Sequence, residues 1–121
     1  MKGFEYLMRF LDNEGYRRKD EGEGLLTFKF EGNTYFVFTQ DSRYLQVILV
    51  LDVDGCSKSQ MLEACNVSNN RRFVVKFTVH DTSVWCSYEF KPSDATTNDE
   101  YASVMRTLKN SADDFFEQLK K

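Results

Sequence analysis

The sequence predicts an α+β, two-layer fold in the order helix-β-β-β-helix-β-β-helix, with the helices laid over an antiparallel sheet. Three observations carry this. Apolar residues near both ends recur at three- and four-residue steps, the period of one helix face. Between them lie segments that alternate every second residue, the period of a strand with two unlike faces. Short turn-forming stretches separate those segments, as antiparallel neighbours require.

Residues 3 to about 13 place Phe4, Leu7, Met8 and Leu11 on one stripe, and Gly15 in "DNEGY" closes that helix. The charged segment "RRKDEGEG" is a loop or a ragged edge strand. Residues 25–30 and 34–39 are strands joined around "EGN", where Gly32 and Asn33 tolerate positive φ. A three-residue loop groups Leu26, Phe28, Phe30, Phe36 and Phe38 on one side and leaves Thr27, Lys29, Tyr35 and Val37 opposite. Burying four phenylalanines together favours it. After the turn "QDSR", the strand "YLQVILVLDV" is apolar at nearly every position from Val47 to Leu51. Both its faces should therefore be covered, either centrally in the sheet or at an oligomer interface.

The second helix spans roughly 58–68. Ser57 and Gln60 form a capping box, Met61, Leu62, Ala64 and Cys65 give a short apolar face, and "SNN" at 68–70 supplies a left-handed end. Strands near 72–80 and 83–91 make a hairpin around Asp81 and Thr82. Phe73, Val75, Phe77 and Val79 then face Phe90, Tyr88, Cys86 and Val84 on one side. Val74, Lys76, Thr78, His80, Trp85, Ser87 and Glu89 share the other. Pro92 stands where the last strand should stop. Thr97 and Glu100 cap a long final helix whose stripe runs Tyr101, Val104, Met105, Leu108, Ala112, Phe115, Phe116 and Leu119. A stripe of that length is core rather than a cofactor site.

At 121 residues the chain fits one domain, 1–121, able to bury roughly two thirds of its unfolded surface. A net charge of -3 argues against a broad phosphate-binding surface, and the run Arg17, Arg18, Lys19 is diluted by Asp20, Glu21 and Glu23. No nucleic-acid partner is expected. Cys56, Cys65 and Cys86 match neither a zinc spacing nor a disulfide framework; two sit in apolar patterns as small buried side chains. Glu5 and Arg9 interrupt what would be the apolar core of a signal peptide, and no apolar run approaches twenty residues. A cytoplasmic protein without a membrane span is the expectation.

One segment imitates a calcium loop. In "VLDVDGCSKSQMLEAC", Asp52, Asp54 and Glu63 fall at the first, third and twelfth positions, but the fifth is Cys56, the sixth Ser57 and the seventh Lys58. A strand also precedes it where a helix should. The better reading is a turn at Asp54-Gly55 followed by a cap at Ser57, with no metal. His80 and Cys86 lie on opposite faces of one hairpin, "EGEG" presents carboxylates where an anion would sit, and no carboxylate pair stands out. Neither catalytic residues nor a cofactor are expected.

What remains is surface. On the sheet face away from the expected core lie Tyr35, Val37, Ile48, Val50, Val74 and Trp85, more apolar groups than a wet face carries. Cover by the middle helix or the charged loop is one explanation. An interface for a second copy or another polypeptide, anchored by Trp85, is the other.

The segments "FLDNEGY", "LLTFKFEGNTYFVF" and "EACNVSNNRRFVVKFTV", with Asn66 and Asn69 near the end of the middle helix and Phe115 and Phe116 in the last, resemble the YbjN-like family of bacterial sensory transduction regulators. The resemblance covers nearly the whole chain. It implies the fold of the type III secretion chaperones and a small, acidic, cytoplasmic, non-enzymatic protein, often dimeric. The resulting expectation is a homodimeric interaction module that binds a peptide or protein partner by edge pairing and apolar pockets. A small-ligand sensor with a phenylalanine-lined pocket between the terminal helices and the sheet is the alternative.

Overall fold

The computed structural model describes residues 3–39, 43–71 and 74–120. Among them, α1 (Gly3–Glu14) precedes β1 (Arg18–Gly22), β2 (Leu25–Phe30), β3 (Asn33–Phe38) and β4 (Leu45–Asp52). Then come α2 (Lys58–Arg71), the hairpin β5 (Val75–His80) and β6 (Ser83–Phe90), and α3 (Asn98–Leu119). The strands form a six-stranded antiparallel sheet in the order β1-β2-β3-β4-β6-β5. Buried side chains from all three helices and from one sheet face make a single cluster. This is the two-layer α+β arrangement the sequence predicts. The expected turn at Gln40–Ser42, together with Arg72 and Phe73, lies outside the described residues.

The charged segment after α1 is an edge strand. All five residues of β1 are exposed, so no apolar alternation announces it; backbone pairing with β2 holds it, around an irregularity between Asp20 and Gly22. The basic run is spent locally, Arg18 Nε lying 2.8 Å from Asp12 Oδ1. That guanidinium holds the Asp12 carboxyl below the usual carboxylate range.

Helix ends follow local chemistry. Gly15 takes φ +77, and the amides of Gly15 and Tyr16 donate to the carbonyls of Asp12 and Leu11 at 3.3 and 2.9 Å. These two bonds close α1 on a left-handed residue. At the start of α2, Gln60 N–H donates to Ser57 Oγ (3.1 Å) and Ser57 N–H to Gln60 Oε1 (2.8 Å). Thr97 Oγ1 accepts from Glu100 N–H at 3.1 Å and starts α3. The end of α2 differs from expectation: the helix runs through Ser68, Asn69 and Asn70 to Arg71. Asn69 does not cap it, because its side chain is bonded to β5.

The first hairpin corrects the sequence reading. Phe30 pairs with Asn33, Phe28 with Tyr35 and Leu26 with Val37, so the loop is the two residues Glu31 and Gly32, at φ +49 and +84. Two consecutive positive φ values give the turn whose twist matches the strands it joins. Shortening the loop by one residue exchanges the faces of β3. Tyr35 and Val37, expected outside as interface residues, are therefore core residues, 1% and 0% exposed. Phe36 and Phe38, expected inside, face outward. Tyr35 is tolerated in the core because its hydroxyl donates to the Met105 carbonyl of α3 at 3.0 Å.

One line of aromatic contacts ties the layers together. Phe28 and Phe30 both meet Tyr35; Phe30 meets Tyr16, Tyr16 meets Phe10, and Phe10 stacks on Tyr101 at 4.6 Å. Tyr101 in turn meets Phe90 edge-on. Helices α1 and α3 thus dock on the sheet through rings. Burial pushes the Tyr35 and Tyr101 phenols up to about 12.

Candidate interaction surface

The calcium-like segment is a turn. Asp54 N–H donates to Asp52 Oδ1 at 3.0 Å, Cys56 N–H to the Val53 carbonyl at 3.0 Å, and Gly55 takes φ +89. The first aspartate thus organises its own backbone, as aspartate does in tight turns. Glu63 sits on the exposed face of α2.

Cys86 is fully buried on the inner face, its thiol 3.7 Å from the Leu108 carbonyl. His80 is on the outer face of the same hairpin, its Nε2 2.8 Å from Thr78 Oγ1. The hairpin pairing itself is as expected: Val75 opposes Tyr88, Phe77 opposes Cys86, and Val79 opposes Val84. Between the terminal helices and the sheet, where a ligand pocket was considered, the space is occupied by Leu7, Leu11, Phe30, Tyr35, Leu108 and Phe115.

The opposite sheet face carries the remaining chemistry. The buried residues of every described helix cluster with the inner face, leaving the outer one without a helical layer among the described residues. Strand register fixes its membership: Phe36 opposes Ile48, Ile48 opposes Ser87, and Val50 opposes Trp85. Ile48, Val50 and Trp85 thus share this face by register. Val74 lies just before β5, 57% exposed.

Ile48 is only 1% exposed despite facing away from the helices. Phe38 on β3 and Trp85 on β6 flank β4 from either side, and their rings stack 6.3 Å apart. By register they reach toward each other across Ile48, which sits between them on β4. His80 then stacks on Trp85 with ring centroids 3.8 Å apart. The result is a row of three rings, Phe38, Trp85 and His80, with Val50 beside it at 38% exposure. The row is rimmed by both signs of charge, Lys29 and Lys76 against Asp52 and Glu89.

Trp85 shares the outer face with Phe36, Phe38 and the stacked His80, three residues that the expected patch did not include. The two phenylalanines were legible only through the loop length; the hairpin alternation put His80 on the same face as Trp85 without showing that the rings stack.

A second surface lies between α2 and β5, a groove of about 550 Å³ lined by Leu62, Asn66, Asn69 and Val79 among others. Within it, the Asn69 carboxamide donates to the Phe77 carbonyl at 3.0 Å and accepts from the Phe77 N–H at 2.8 Å.

Solved structures share this fold. A protein from Methanothermobacter thermautotrophicus superposes with a TM-score of 0.72 at 14% identity, covering 98% of this chain and 96% of that one. The type III secretion chaperone SycH of Yersinia pestis, solved in complex with a fragment of YscM2, gives 0.67 at 15% identity over 92% and 97%. YbjN from E. coli gives 0.65 at 13% identity over 98% and 90%. These superpositions show the fold alone, which is that of the secretion chaperones. The sequence matches no curated protein. A family model described as "putative bacterial sensory transduction regulator" matches residues 4–121. The fold, the pairing of its strands and that match agree: this chain belongs to the YbjN family.

Proposed function

We propose that the chain is a non-enzymatic protein-interaction module whose outer sheet face docks a polypeptide partner, with Trp85 as the anchor, Val50 and Val74 in the surrounding patch, and the buried Ile48 supporting it from beneath. In this reading residues 1–121 act as one domain, in the cytoplasm and as a homodimer. The observation that carries it is the row of Phe38, Trp85 and His80 on a face without helical cover. Rings held by stacking lose little freedom on binding, so each contact they make is retained as affinity. Mixed charge at the rim sets orientation more than strength. A regulatory or protein-binding role also fits the family, and SycH, of the same fold, was solved with a fragment of another protein bound.

The test is affinity capture from the native cell with wild type, Trp85→Ala and Val50→Lys. Wild type should sediment as a dimer and retain a defined partner that both variants lose while still folded. A strictly monomeric protein whose Trp85→Ala variant captures the same partners as wild type would end this reading.

A further inference from the structure

Among the described residues the sheet ends on two edge strands, β1 and β5, and they are protected differently. β1 carries charge along its length, a common device against unwanted pairing. β5 has no such protection: its residues are VKFTVH, a strand-forming sequence with one lysine. Its hairpin closes at His80–Ser83, so His80, Thr78 and Lys76 turn their backbone groups toward β6, and Val79, Phe77 and Val75 turn theirs to the open edge. Phe77 is the middle one of those three. Both its N–H and its C=O are taken by one side chain, that of Asn69. A carboxamide offers the donor and acceptor of a peptide group, and here it occupies the place a seventh strand would take.

We propose that Asn69 closes the β5 edge of the sheet by standing in for a neighbouring strand, and so keeps that edge from pairing with β5 of a second copy. α2 must run past the asparagines to Arg71 for this to work, which accounts for its length. Replacing the carboxamide leaves three outward-facing residues in succession without a side-chain partner, the template on which strands associate.

Amide hydrogen exchange and sedimentation over a concentration series test this. In wild type the Phe77 amide should exchange about tenfold more slowly than that of Val79, its neighbour on the same edge. In Asn69→Ala that protection should disappear, and the variant should associate beyond the wild-type sedimentation state at concentrations where wild type does not, with unchanged far-ultraviolet dichroism. Adding Val79→Pro, which removes an outward-facing donor without breaking a bond to β6, should reverse the association. Equal exchange at Phe77 and Val79 in wild type overturns the proposal. So does an Asn69→Ala profile identical to wild type, or association that persists with Val79→Pro.

Discussion

Phe28 and Phe36 stand on adjacent strands of one hairpin, yet Phe28 is sealed beneath the helices and Phe36 is only partly buried. The two faces of the sheet draw on similar side chains and use them differently. On the inner face, rings and aliphatic groups from the helices complete the burial of β2 to β6, while β1 stays exposed. On the outer face, the side chains cover one another: Ile48 is shielded by its own sheet, and the covering rings remain available. The inner face supplies most of the cohesion and the outer face a surface, so substitutions should separate them by the size of their effect on unfolding.

The largest effect belongs to Phe115→Ala. Phe115 is fully buried in α3 and stacks on Phe77 at 5.2 Å, and its truncation should cost about 3–5 kcal/mol in urea unfolding. A loss below about 1 kcal/mol would dissolve the distinction between the faces.

Alkaline unfolding comes next. The folded-state values of Tyr35 and Tyr101, about 12, lie above the ordinary 10 of an unfolded phenol. Their contribution is complete below pH 10 and lost as the pH rises through about 12. Each phenol contributes on the order of 2–3 kcal/mol to that loss. Tyr35→Phe should flatten the stability curve in this window, at a neutral-pH cost of about 1 kcal/mol for the lost bond to Met105. A curve as steep as wild type would show that Tyr35 ionises without unfolding.

Smaller still is Ser57→Ala, which removes the acceptor for Gln60 N–H and should cost about 1 kcal/mol. The smallest expected effect is at Trp85→Ala. Its partly buried ring should change urea unfolding less than any inner-face truncation while abolishing partner capture. A loss as large as that of Phe115→Ala would make Trp85 a packing residue and remove the contrast.

The fold was legible wherever one period dominated. The stripe from Tyr101 to Leu119, the pairing of β5 with β6 and the caps at Ser57 and Thr97 all appear as expected. Where two explanations shared a pattern, counting apolar residues misled. The run Tyr35-Phe36-Val37-Phe38 is apolar on both faces, so only the turn could set its register. Gly32 signalled a positive φ, but the other turn residue is Glu31, an unusual occupant of that region. Four phenylalanines therefore outweighed the turn in the sequence reading, and Tyr35 and Val37 were assigned to the wrong side. β1 could be read only as a loop or an edge strand, because a strand held by backbone pairing needs no apolar residue. In the candidate patch, Trp85 could be assigned a face because β6 alternates apolar and polar residues, whereas β4 is apolar on both faces. Asn69 was read as a helix end because local sequence shows that asparagine tolerates a left-handed turn, and cannot show that a strand will pass within reach of its side chain.

The stack of Phe10 on Tyr101 joins the first helix to the last, and this bears on how the protein emerges from the ribosome. The greasy stripe of α1 is made early, while the ring that covers it arrives roughly ninety residues later. At ordinary elongation speeds that is a delay on the order of 5–20 s. Throughout it the nascent chain carries an uncovered helix, and a stalled chain ending before residue 100 should remain open to protease until α3 is supplied.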